Sequence, residues 1–380
     1  MFKKRFSLFG VILICIVVIG GLIGAGVYWL QGNIGSASDL FRLAHTVRLI
    51  QKNYVGDVDA DTLYKGALRG MVKALDDPYS AYLDEKSFTN LESSTEGHFG
   101  GVGIVLGRQG ENFVVVAPIE GTPAYKAGIK SGDIILTIDD TKLDDKDITE
   151  VVKMIRGKDG TKVNLFIKTG SNEPRNVEIV RSEIKIDSVV SEMKENNIGY
   201  IRITSFNEQT SEDFTKQYRE LENKGMKATI LDLRGNPGGL LNAGVSVAKL
   251  LVPKGPIVSV TEKSGRTLTE TSNLAKVKYP LIVLVDKGTA SAAEIVSGAV
   301  QDSKAGKLLG TKTYGKGCVQ TVYRLGADTA VKLTMAKYYT PSGRSIDGIG
   351  LEPDIALEAT DDQGTNQLNA AMEYLKKEIQ

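Results

Sequence analysis

An uncharged apolar run near the N-terminus limits the fold most strongly, and it extends from Leu8 to Leu30. A helix over this run would be roughly 35 Å long at about 1.5 Å per residue, which is enough to cross the hydrocarbon core of a bilayer. Three basic residues, Lys3 to Arg5, precede the run, whereas residues 31–41 contain none. This asymmetry predicts a single-pass anchor in the cell membrane, with the chain from about Gln31 onward outside the cytoplasm.

A cleaved signal peptide is the alternative interpretation of this run. Signal peptides usually carry an apolar segment of about 7–15 residues, followed by small residues at an A-x-A cleavage site. The run here is longer, and it lacks a clear A-x-A site. The membrane anchor is therefore the preferred interpretation.

Composition excludes nucleic acid as an expected partner. The chain has 380 residues, of which 42% are hydrophobic, so it can bury more than one domain of about 100–200 residues. Lys and Arg total 47 against 46 Asp and Glu. The resulting net charge of +1 gives no electrostatic excess of the kind that nucleic-acid binding needs.

Cysteine and histidine are too few for a disulfide framework or a zinc site. Beyond the apolar run the sequence contains one cysteine, Cys318, so no disulfide can form within that part of one chain. The two histidines, His45 and His98, do not form an H-E-x-x-H pattern. We expect no metal and no cofactor.

The rest of the chain changes its pattern twice. Apolar residues recur at helical spacing from Ser38 to Phe88, short β-like runs follow Glu96, and strands alternate with helices from about Ile198. Two apolar runs in the last part, residues 228–233 and 281–285, are typical of strands buried on both faces. We expect a multi-domain α+β chain with an anchor (1–30), a helical region (31–95), a β-rich module (96–184), an α/β core (185–360) and a C-terminal helix (361–380).

The β-rich module contains two glycine-rich stretches, Phe99-Gly-Gly-Val-Gly-Ile104 and Ala127-Gly-Ile-Lys-Ser-Gly-Asp-Ile-Ile135. Their spacing resembles a PDZ domain of the circularly permuted kind found in bacterial proteases, which implies a β-sandwich or barrel. Backbone N–H groups in such a loop can cradle the terminal carboxylate of a peptide that pairs with the adjoining strand edge. The predicted peptide-binding residues are Gly101, Val102, Gly103 and Ile104. In the alternative interpretation these glycines only close a hairpin.

Ser291 lies between a buried strand, residues 281–285, and an apparent helix that runs to about Val300. A hydroxyl at such a junction is exposed at the positive end of the helix, beside free N–H groups. Ser291 and Glu294 also match the S-x-x-E pattern of a capping box, so a purely structural N-cap is an alternative role.

Two further loops favour chemistry at Ser291. Asp232-Leu-Arg-Gly-Asn-Pro-Gly-Gly239 follows a buried strand, and its last glycines allow N–H groups to point into a pocket, where they could form an oxyanion hole with the N–H of Ala292. Lys316 lies between two glycines, and no histidine occurs in the α/β core to serve as base. Burial can lower the pKa of a lysine from about 10.4 toward about 7–8, where it can accept the serine proton.

These loops, in this order, resemble the C-terminal-processing (tail-specific) peptidase family, whose core is similar to the Clp protease and crotonase folds. The resemblance covers about residues 40–356. It implies that Ser291 is the nucleophile, Lys316 the general base, Gln320 the residue that orients the lysine, and Gly239 with Ala292 the oxyanion hole. It also implies a serine endopeptidase that processes extracytoplasmic proteins near their C-termini, with PDZ recognition of apolar tails.

Two other functions stay open on the sequence alone. The first is a PDZ adaptor with an inactive protease core, and the presence of Ser291, Lys316 and Gln320 argues against it. The second is a crotonase-like acyl-CoA enzyme, which suits neither an anchor nor a peptide-binding module. The expected partners are protein or peptide substrates with apolar C-termini, the membrane, and a second copy of the chain, because relatives often assemble through the helical region.

Overall fold

A computed structural model describes residues 37–380 of the chain. The chain divides into two compact units, which meet in sequence at Asp84 and Glu85. The predicted anchor, Leu8 to Leu30, lies outside the described residues. Within residues 37–380 we find no helix with the length and apolar character that crossing a membrane requires.

The first unit contains the predicted helical region. Its described elements are α1 (Ala37–Asn53), α2 (Ala60–Lys73) and β1 (Ala81–Leu83). Asp59 caps α2, because its carboxylate accepts a hydrogen bond from the N–H of Thr62 at 2.8 Å. Large apolar side chains, among them Phe41 and Val55, are exposed on this unit.

The second unit begins with a helix and a β-rich module. Its elements up to Lys185 are α3 (Glu85–Glu96), β2 (His98–Gly101), β3 (Ile104–Gln109), β4 (Asn112–Pro118), α4 (Pro123–Lys126), β5 (Ile134–Ile138), β6 (Thr141–Lys142), α5 (Ile148–Ile155), β7 (Lys162–Lys168), β8 (Arg175–Val180) and β9 (Ser182–Lys185). An antiparallel sheet of order β3-β4-β5-β7-β8 forms the body of the module, and β6 pairs with β5. Strands β2 and β9 pair with each other where the chain enters and leaves it.

The helix α5 begins with a capping box. Asp147 and Glu150 exchange hydrogen bonds, each from the backbone N–H of one residue to the carboxylate of the other, at 2.8 Å. Val151 and Ile155 then face the core of the module. The structure thus caps α5 at its N-terminus and buries one face of it in the module.

The rest of the second unit is the α/β core. Its elements are β10 (Val189–Lys194), β11 (Ile198–Ile203), α6 (Thr210–Asn223), β12 (Ala228–Asp232), α7 (Leu241–Leu251), β13 (Gly255–Glu262), β14 (Thr267–Ser272), β15 (Leu281–Val285), α8 (Ala292–Asp302), β16 (Lys307–Gly310), β17 (Cys318–Arg324), β18 (Ala330–Tyr339), β19 (Ile355–Ala356) and α9 (Thr365–Glu378).

A central sheet of order β10-β11-β12-β15-β16-β19 organises this core. Strand β10 is antiparallel to β11, and the other neighbours are parallel. Side chains alternate along each strand, so Leu231 and Val283 pack on the face that also contacts α6, α7 and α8, whereas Ile230 and Ile282 pack against α9. Both faces are therefore buried, as the continuous apolar runs predict.

A second, antiparallel sheet lies in the same unit. Strand β13 pairs with β14 and with β18, and β17 pairs with β18. The register between β17 and β18 shifts between Val319 and Gln320, which marks a bulge at the point where β17 leaves the loop of Lys316.

Candidate active site

Ser291 has a strained backbone between β15 and α8. Its φ is 55° and its ψ is −118°, a combination that a residue with a Cβ rarely adopts. The chain thus turns sharply from a buried strand into a helix, a geometry that exposes the side chain of a nucleophile in other hydrolases. The structure confirms the predicted strand and the helix that follows it.

The Glu294 carboxylate joins the serine loop to the lysine loop. It is fully buried, and its Oε2 accepts hydrogen bonds from the N–H groups of both Ser291 and Lys316, each at 2.9 Å. Its Oε1 accepts the hydroxyl of Thr313 at 2.6 Å and the N–H of Gly315 at 2.7 Å. One side chain therefore fixes the backbone at Ser291 relative to the backbone at Lys316.

Burial raises the pKa of the Glu294 carboxyl above its ordinary value. The hydrogen bonds from Thr313, Lys316, Gly315 and Ser291 act in the opposite direction, because all of them stabilise the ionised form. The hydrogen-bond donors thus stabilise the ionised form of this carboxylate, whereas its removal from water destabilises that form.

Tyr338 makes a second connection between the same two loops. Its hydroxyl lies 3.1 Å from the carbonyl oxygen of Ser291 and within hydrogen-bond distance of the carbonyl oxygen of Lys316. The ring is buried in the core. The side chains of Glu294 and Tyr338 therefore bind the backbone N–H and C=O groups of both Ser291 and Lys316.

The predicted oxyanion loop lies directly against Ser291. A Cβ built on Gly238 would lie 2.7 Å from the Cβ of Ser291, and φ at this glycine is +94°. The side chain of Asn236 holds the loop, because it accepts the N–H of Gly238 at 2.8 Å and donates to the carbonyl of Ile203 at 2.8 Å. Only a glycine at position 238 allows this approach.

Two N–H groups beside Ser291 are available to a ligand. The N–H of Phe206 donates to the carbonyl of Gly238, and the carbonyl of Phe206 accepts the N–H of Leu240. Neither bond uses the N–H of Gly239. Among the described residues, the N–H groups of Gly239 and Ala292 have no acceptor. They are the two donors that the sequence predicts for an oxyanion hole.

One cleft contains every predicted catalytic residue. It has a volume of about 820 Å³, and Ser291, Lys316, Gln320, Gly239 and Ala292 all line it. The amide nitrogen of Gln320 lies 3.0 Å from the sulfur of Cys318. The cleft therefore brings together residues that are up to 81 positions apart in the sequence (239 to 320).

Sequence comparison identifies the family. Residues 197–357 match the family described as peptidase family S41, residues 114–169 match a PDZ domain, and residues 30–87 match the N-terminal domain of the activating protease CtpB. The chain is 37% identical to the carboxy-terminal processing protease CtpA of Bacillus subtilis (strain 168) over 379 residues, which cover 98% of this chain and 81% of that protein. The chain belongs to peptidase family S41. It is therefore a carboxy-terminal processing peptidase of the serine type, and the predicted family is confirmed.

Other S41 relatives cover most of the chain as well. A carboxy-terminal-processing protease of Bartonella bacilliformis is 39% identical over 327 residues, which cover 84% of this chain and 75% of that protein. Among solved structures, the photosystem II D1 C-terminal processing protease is 29% identical, with a TM-score of 0.49 over 85% of this chain and 95% of the other.

The predicted peptide-binding loop of the PDZ domain lies outside the S41 cleft. None of its four residues, Gly101, Val102, Gly103 and Ile104, lines the cavity of Ser291. Val102 is fully buried in the domain core, and Gly103 has a φ of +80° with no room for a Cβ beside Thr122. The carbonyl of Val102 accepts the N–H of Ala124, and the carbonyl of Gly103 accepts the N–H of Ile119. The N–H groups of Val102 and Gly103 have no acceptor among the described residues.

The sequence alone does not indicate that Glu294, Tyr338 and Asn236 contact the loops of the site. The sequence shows Glu294 only as the partner of Ser291 in a capping box, and the structure bears out its bond to the N–H of Ser291. Its bonds to Thr313 and Lys316 depend on the parallel pairing of β15 with β16, which brings the two loops to the same edge of the sheet. No local pattern in a single sequence reports a contact of this kind.

Proposed function

We propose that this S41 peptidase cleaves extracytoplasmic polypeptides near their C-termini, with Ser291 as nucleophile and Lys316 as general base. The observation that carries the proposal is the shared bond to Glu294, since one carboxylate oxygen holds the backbone of both residues at the wall of one cleft. A serine and a lysine whose side chains meet in such a cleft can transfer a proton without histidine or metal.

The proposed reaction is acyl transfer in two steps. The neutral amine of Lys316 takes the proton of the Ser291 hydroxyl as Oγ attacks the scissile carbonyl carbon, and the N–H groups of Gly239 and Ala292 stabilise the oxyanion. The C–N bond then breaks, and the leaving amine takes the proton from Lys316. Water, deprotonated by Lys316, next attacks the acyl ester and releases the second product, while Ser291 regains its proton.

Gln320 is proposed to orient the lysine. Its amide nitrogen is bonded to Cys318, so its carbonyl oxygen is the end that can accept a hydrogen bond from the Lys316 amine. The bulge between Val319 and Gln320 changes the direction of this side chain where it enters the cleft. This role is that of a positioning residue.

The PDZ domain is proposed to bind the apolar C-terminal tail of the substrate. The unbonded N–H groups of Val102 and Gly103 support this role, because a terminal carboxylate needs such donors. Strand β3 follows this loop at one edge of the domain sheet, where a peptide strand can add.

The cellular location and the partners are also proposals. The apolar run at Leu8 to Leu30, with basic residues only before it, supports a single-pass anchor with the peptidase on the extracytoplasmic side. The exposed apolar side chains of α1 and α2 support a homodimer through the first unit.

Mass spectrometry tests this function directly. The full chain in detergent is incubated with a poorly folded protein that ends in apolar residues, beside Ser291→Ala and Lys316→Ala. We expect the wild type to trim the substrate and both variants to leave it intact, and an amidated tail should reduce cutting. Trimming by the Ser291→Ala variant would refute the assignment, and an inert wild type that still binds the tail would favour an adaptor.

A further inference from the structure

One short segment, residues 205–208, contacts the oxyanion loop. The N–H of Phe206 donates to the carbonyl of Gly238 at 2.8 Å, and its carbonyl accepts the N–H of Leu240 at 2.7 Å. These two bonds form a parallel bridge between Phe206 and Gly239. In such a bridge the residue between the two bonded neighbours directs its own N–H away from the partner. Phe206 therefore determines the direction in which the N–H of Gly239 points.

The main chains of Phe206 and Gly239 are in close contact. A Cβ built on Gly239 would lie 2.0 Å from the carbonyl oxygen of Phe206, and φ at this glycine is +139°. The ring of Phe206 is buried in the hydrophobic core. A displacement of the segment therefore displaces the N–H of Gly239, because the two main chains pack directly against each other.

Asn207 fixes this segment to the start of helix α6. Its side-chain oxygen Oδ1 accepts the N–H groups of Gln209 and Thr210, each at 3.0 Å, and the hydroxyl of Thr210 lies 2.9 Å from it. The N–H of Asn207 donates to the same hydroxyl oxygen, also at 2.9 Å. An atom that accepts two backbone donors is the oxygen of a carboxamide, so these bonds determine how the side chain is oriented.

The surroundings of Asn207 are buried and polar. Asn207 is 1% exposed, and Ser188 and Thr210 are fully buried. The hydroxyls of Ser188 and Thr210 lie 2.8 Å apart, and the carbonyl of Ser188 accepts the N–H of Thr204 at 2.9 Å. Removal of the carboxamide would take the common acceptor out of a buried polar group, so the segment would no longer be held in one position.

The segment also contacts the junction of α3 and β2. The N–H of Glu208 donates to the carbonyl of Thr95 at 2.9 Å. The amide nitrogen Nδ2 of Asn207 finds no hydrogen-bond partner in the part of the chain that the structure describes. It lies against Gly97, where a Cβ would come within 2.5 Å of it. Asn207 is therefore placed between the oxyanion loop and the chain that enters the β-rich module.

We propose that Asn207 is a positioning residue for the oxyanion hole: its carboxamide holds the segment of Phe206 where the N–H of Gly239 can reach a tetrahedral intermediate on Ser291. Asn207 does not line the cleft, and it acts through the main chain of Phe206. Its substitution therefore weakens binding of the transition state and leaves binding of the ground state unchanged. This inference rests on the proposed function, because it concerns the oxyanion hole proposed there.

A peptide substrate and the corresponding aldehyde test this role. The parent is an apolar-tailed peptide whose cleavage position has been mapped by mass spectrometry, and the aldehyde ends at the residue before the scissile bond. When Oγ of Ser291 adds to the aldehyde carbon, the aldehyde oxygen requires the same donors as the oxyanion. For Asn207→Ala we expect kcat to fall about 10- to 100-fold and the Ki of the aldehyde to rise by a similar factor, with KM within about twofold of wild type.

Two further variants separate this role from stability. Asn207→Asp keeps an oxygen for the donors at the start of α6, so it should retain kcat within about threefold. Ser272→Ala is the matched control, because Ser272 is also buried and its hydroxyl bonds to the carbonyl of Val252 at 2.8 Å, outside the cleft. It should lower the temperature of thermal unfolding without changing kcat or Ki.

A glycine pair keeps the test decisive where Asn207→Ala does not fold. Gly97→Ala places a methyl group against Nδ2 of Asn207, at a glycine with φ of +78°. Gly225→Ala is its control, because Gly225 has a similar φ, of +86°, and open space around it. We expect the loss of kcat and the rise of Ki in Gly97→Ala alone.

The outcomes separate this inference from the proposed function. If the wild type does not cut the parent peptide, the proposed function fails, and this inference fails with it. If the wild type cuts the peptide while Asn207→Ala and Gly97→Ala keep its kcat and Ki, Asn207 is not a positioning residue. A rise in KM in place of the fall in kcat, or an equal loss of kcat in Ser272→Ala, would assign the effect to substrate binding or to stability. Either result also overturns the proposal.

Discussion

At the scale of single residues, Glu294 belongs to a capping box and also contacts the loop of Lys316. A capping box requires only that its carboxylate accept the N–H of Ser291, and this bond is present at 2.9 Å. The same oxygen also accepts the N–H of Lys316, and the other oxygen binds Thr313 and Gly315. Each of these donors thus meets a carboxylate oxygen. A glutamine in this position would replace one of the two acceptor oxygens with an NH2 group, which cannot accept a hydrogen bond.

Glu294→Gln is therefore expected to lower kcat by about 10- to 100-fold while KM changes little, because the serine and lysine loops lose their common acceptor. Asp302→Asn is the matched control on the same helix, since Asp302 accepts the N–H of Ser342 at 2.9 Å and does not line the cleft. Steady-state kinetics and thermal unfolding of both variants check this. Equal kcat losses in the two variants would show that Glu294 acts only through stability.

The sequence predicts part of the site at this scale. Residue types and their order predict Ser291, Lys316 and the glycine loop, and the family resemblance adds Gln320. The structure brings all of them into one cleft. The side chains that hold them, Glu294 and Tyr338, were not assigned to the site. Their contacts join separate loops, and the distance between loops is set by sheet pairing that a single sequence does not encode locally.

At the scale of elements, the structure shows which patterns are reliable. The predicted strand at residues 281–285 has the observed bounds, because the apolar run is as short as a strand and Pro280 and Gly288 flank it. Strand β17 was not predicted. Its sequence, CVQTVYR, has no continuous apolar run, and it becomes a strand by pairing with β18, which is a tertiary effect.

The turn before β3 carries a prediction at this scale. Gly103 has a φ of +80°, and a Cβ there would overlap the side chain of Thr122, so Gly103→Ala should distort the loop of the proposed carboxylate site. We expect the Kd for an apolar C-terminal peptide to rise about tenfold or more, measured by fluorescence anisotropy. Gly110→Ala is the control, because Gly110 also has a positive φ, of +61°, but has open space around it. Unchanged peptide affinity in Gly103→Ala would contradict this account of the loop.

At the scale of the whole molecule, a buried polar network connects the oxyanion loop with the C-terminal helix. Arg234 binds the carboxylate of Asp232 through two nitrogens, and it also donates to the carbonyl of Gly364 and the side chain of Gln367. Tyr200 donates its hydroxyl to the same carboxylate at 2.8 Å. The loop that leads to Gly239 is thus tied to the start of the last helix, α9.

This network predicts a change of stability at high pH. Burial and the Asp232 charge raise the pKa of Tyr200 from 10.0 to about 12. The neutral phenol is favoured in the fold, so its contribution is complete below pH 10 and is lost as the pH rises toward 12. Tyr200→Phe should therefore lose less stability over this range than the wild type in urea unfolding. Tyr125→Phe, which changes an exposed tyrosine, is the control, and parallel pH curves for Tyr200→Phe and wild type would contradict the prediction.

The sequence predicts the order of the modules along the chain. The helical region, the PDZ domain and the α/β core occur in the expected order along the chain, and matches to known families fall at 30–87, 114–169 and 197–357. The boundaries at residues 95, 184 and 360 stay predictions. Strands β2 and β9 pair with each other where the β-rich module begins and ends, and a single sequence does not show this tertiary contact locally.

The central claim is that Ser291 is a nucleophile activated by Lys316, and covalent labelling with a fluorophosphonate tests it most directly, without a known substrate. The intact mass and peptide map are measured for the wild type, Ser291→Ala and Lys316→Ala. The account predicts one adduct per wild-type chain, on Ser291, no adduct in Ser291→Ala, and strongly slowed labelling in Lys316→Ala. An adduct on another residue, or labelling of Lys316→Ala at the wild-type rate, would contradict it.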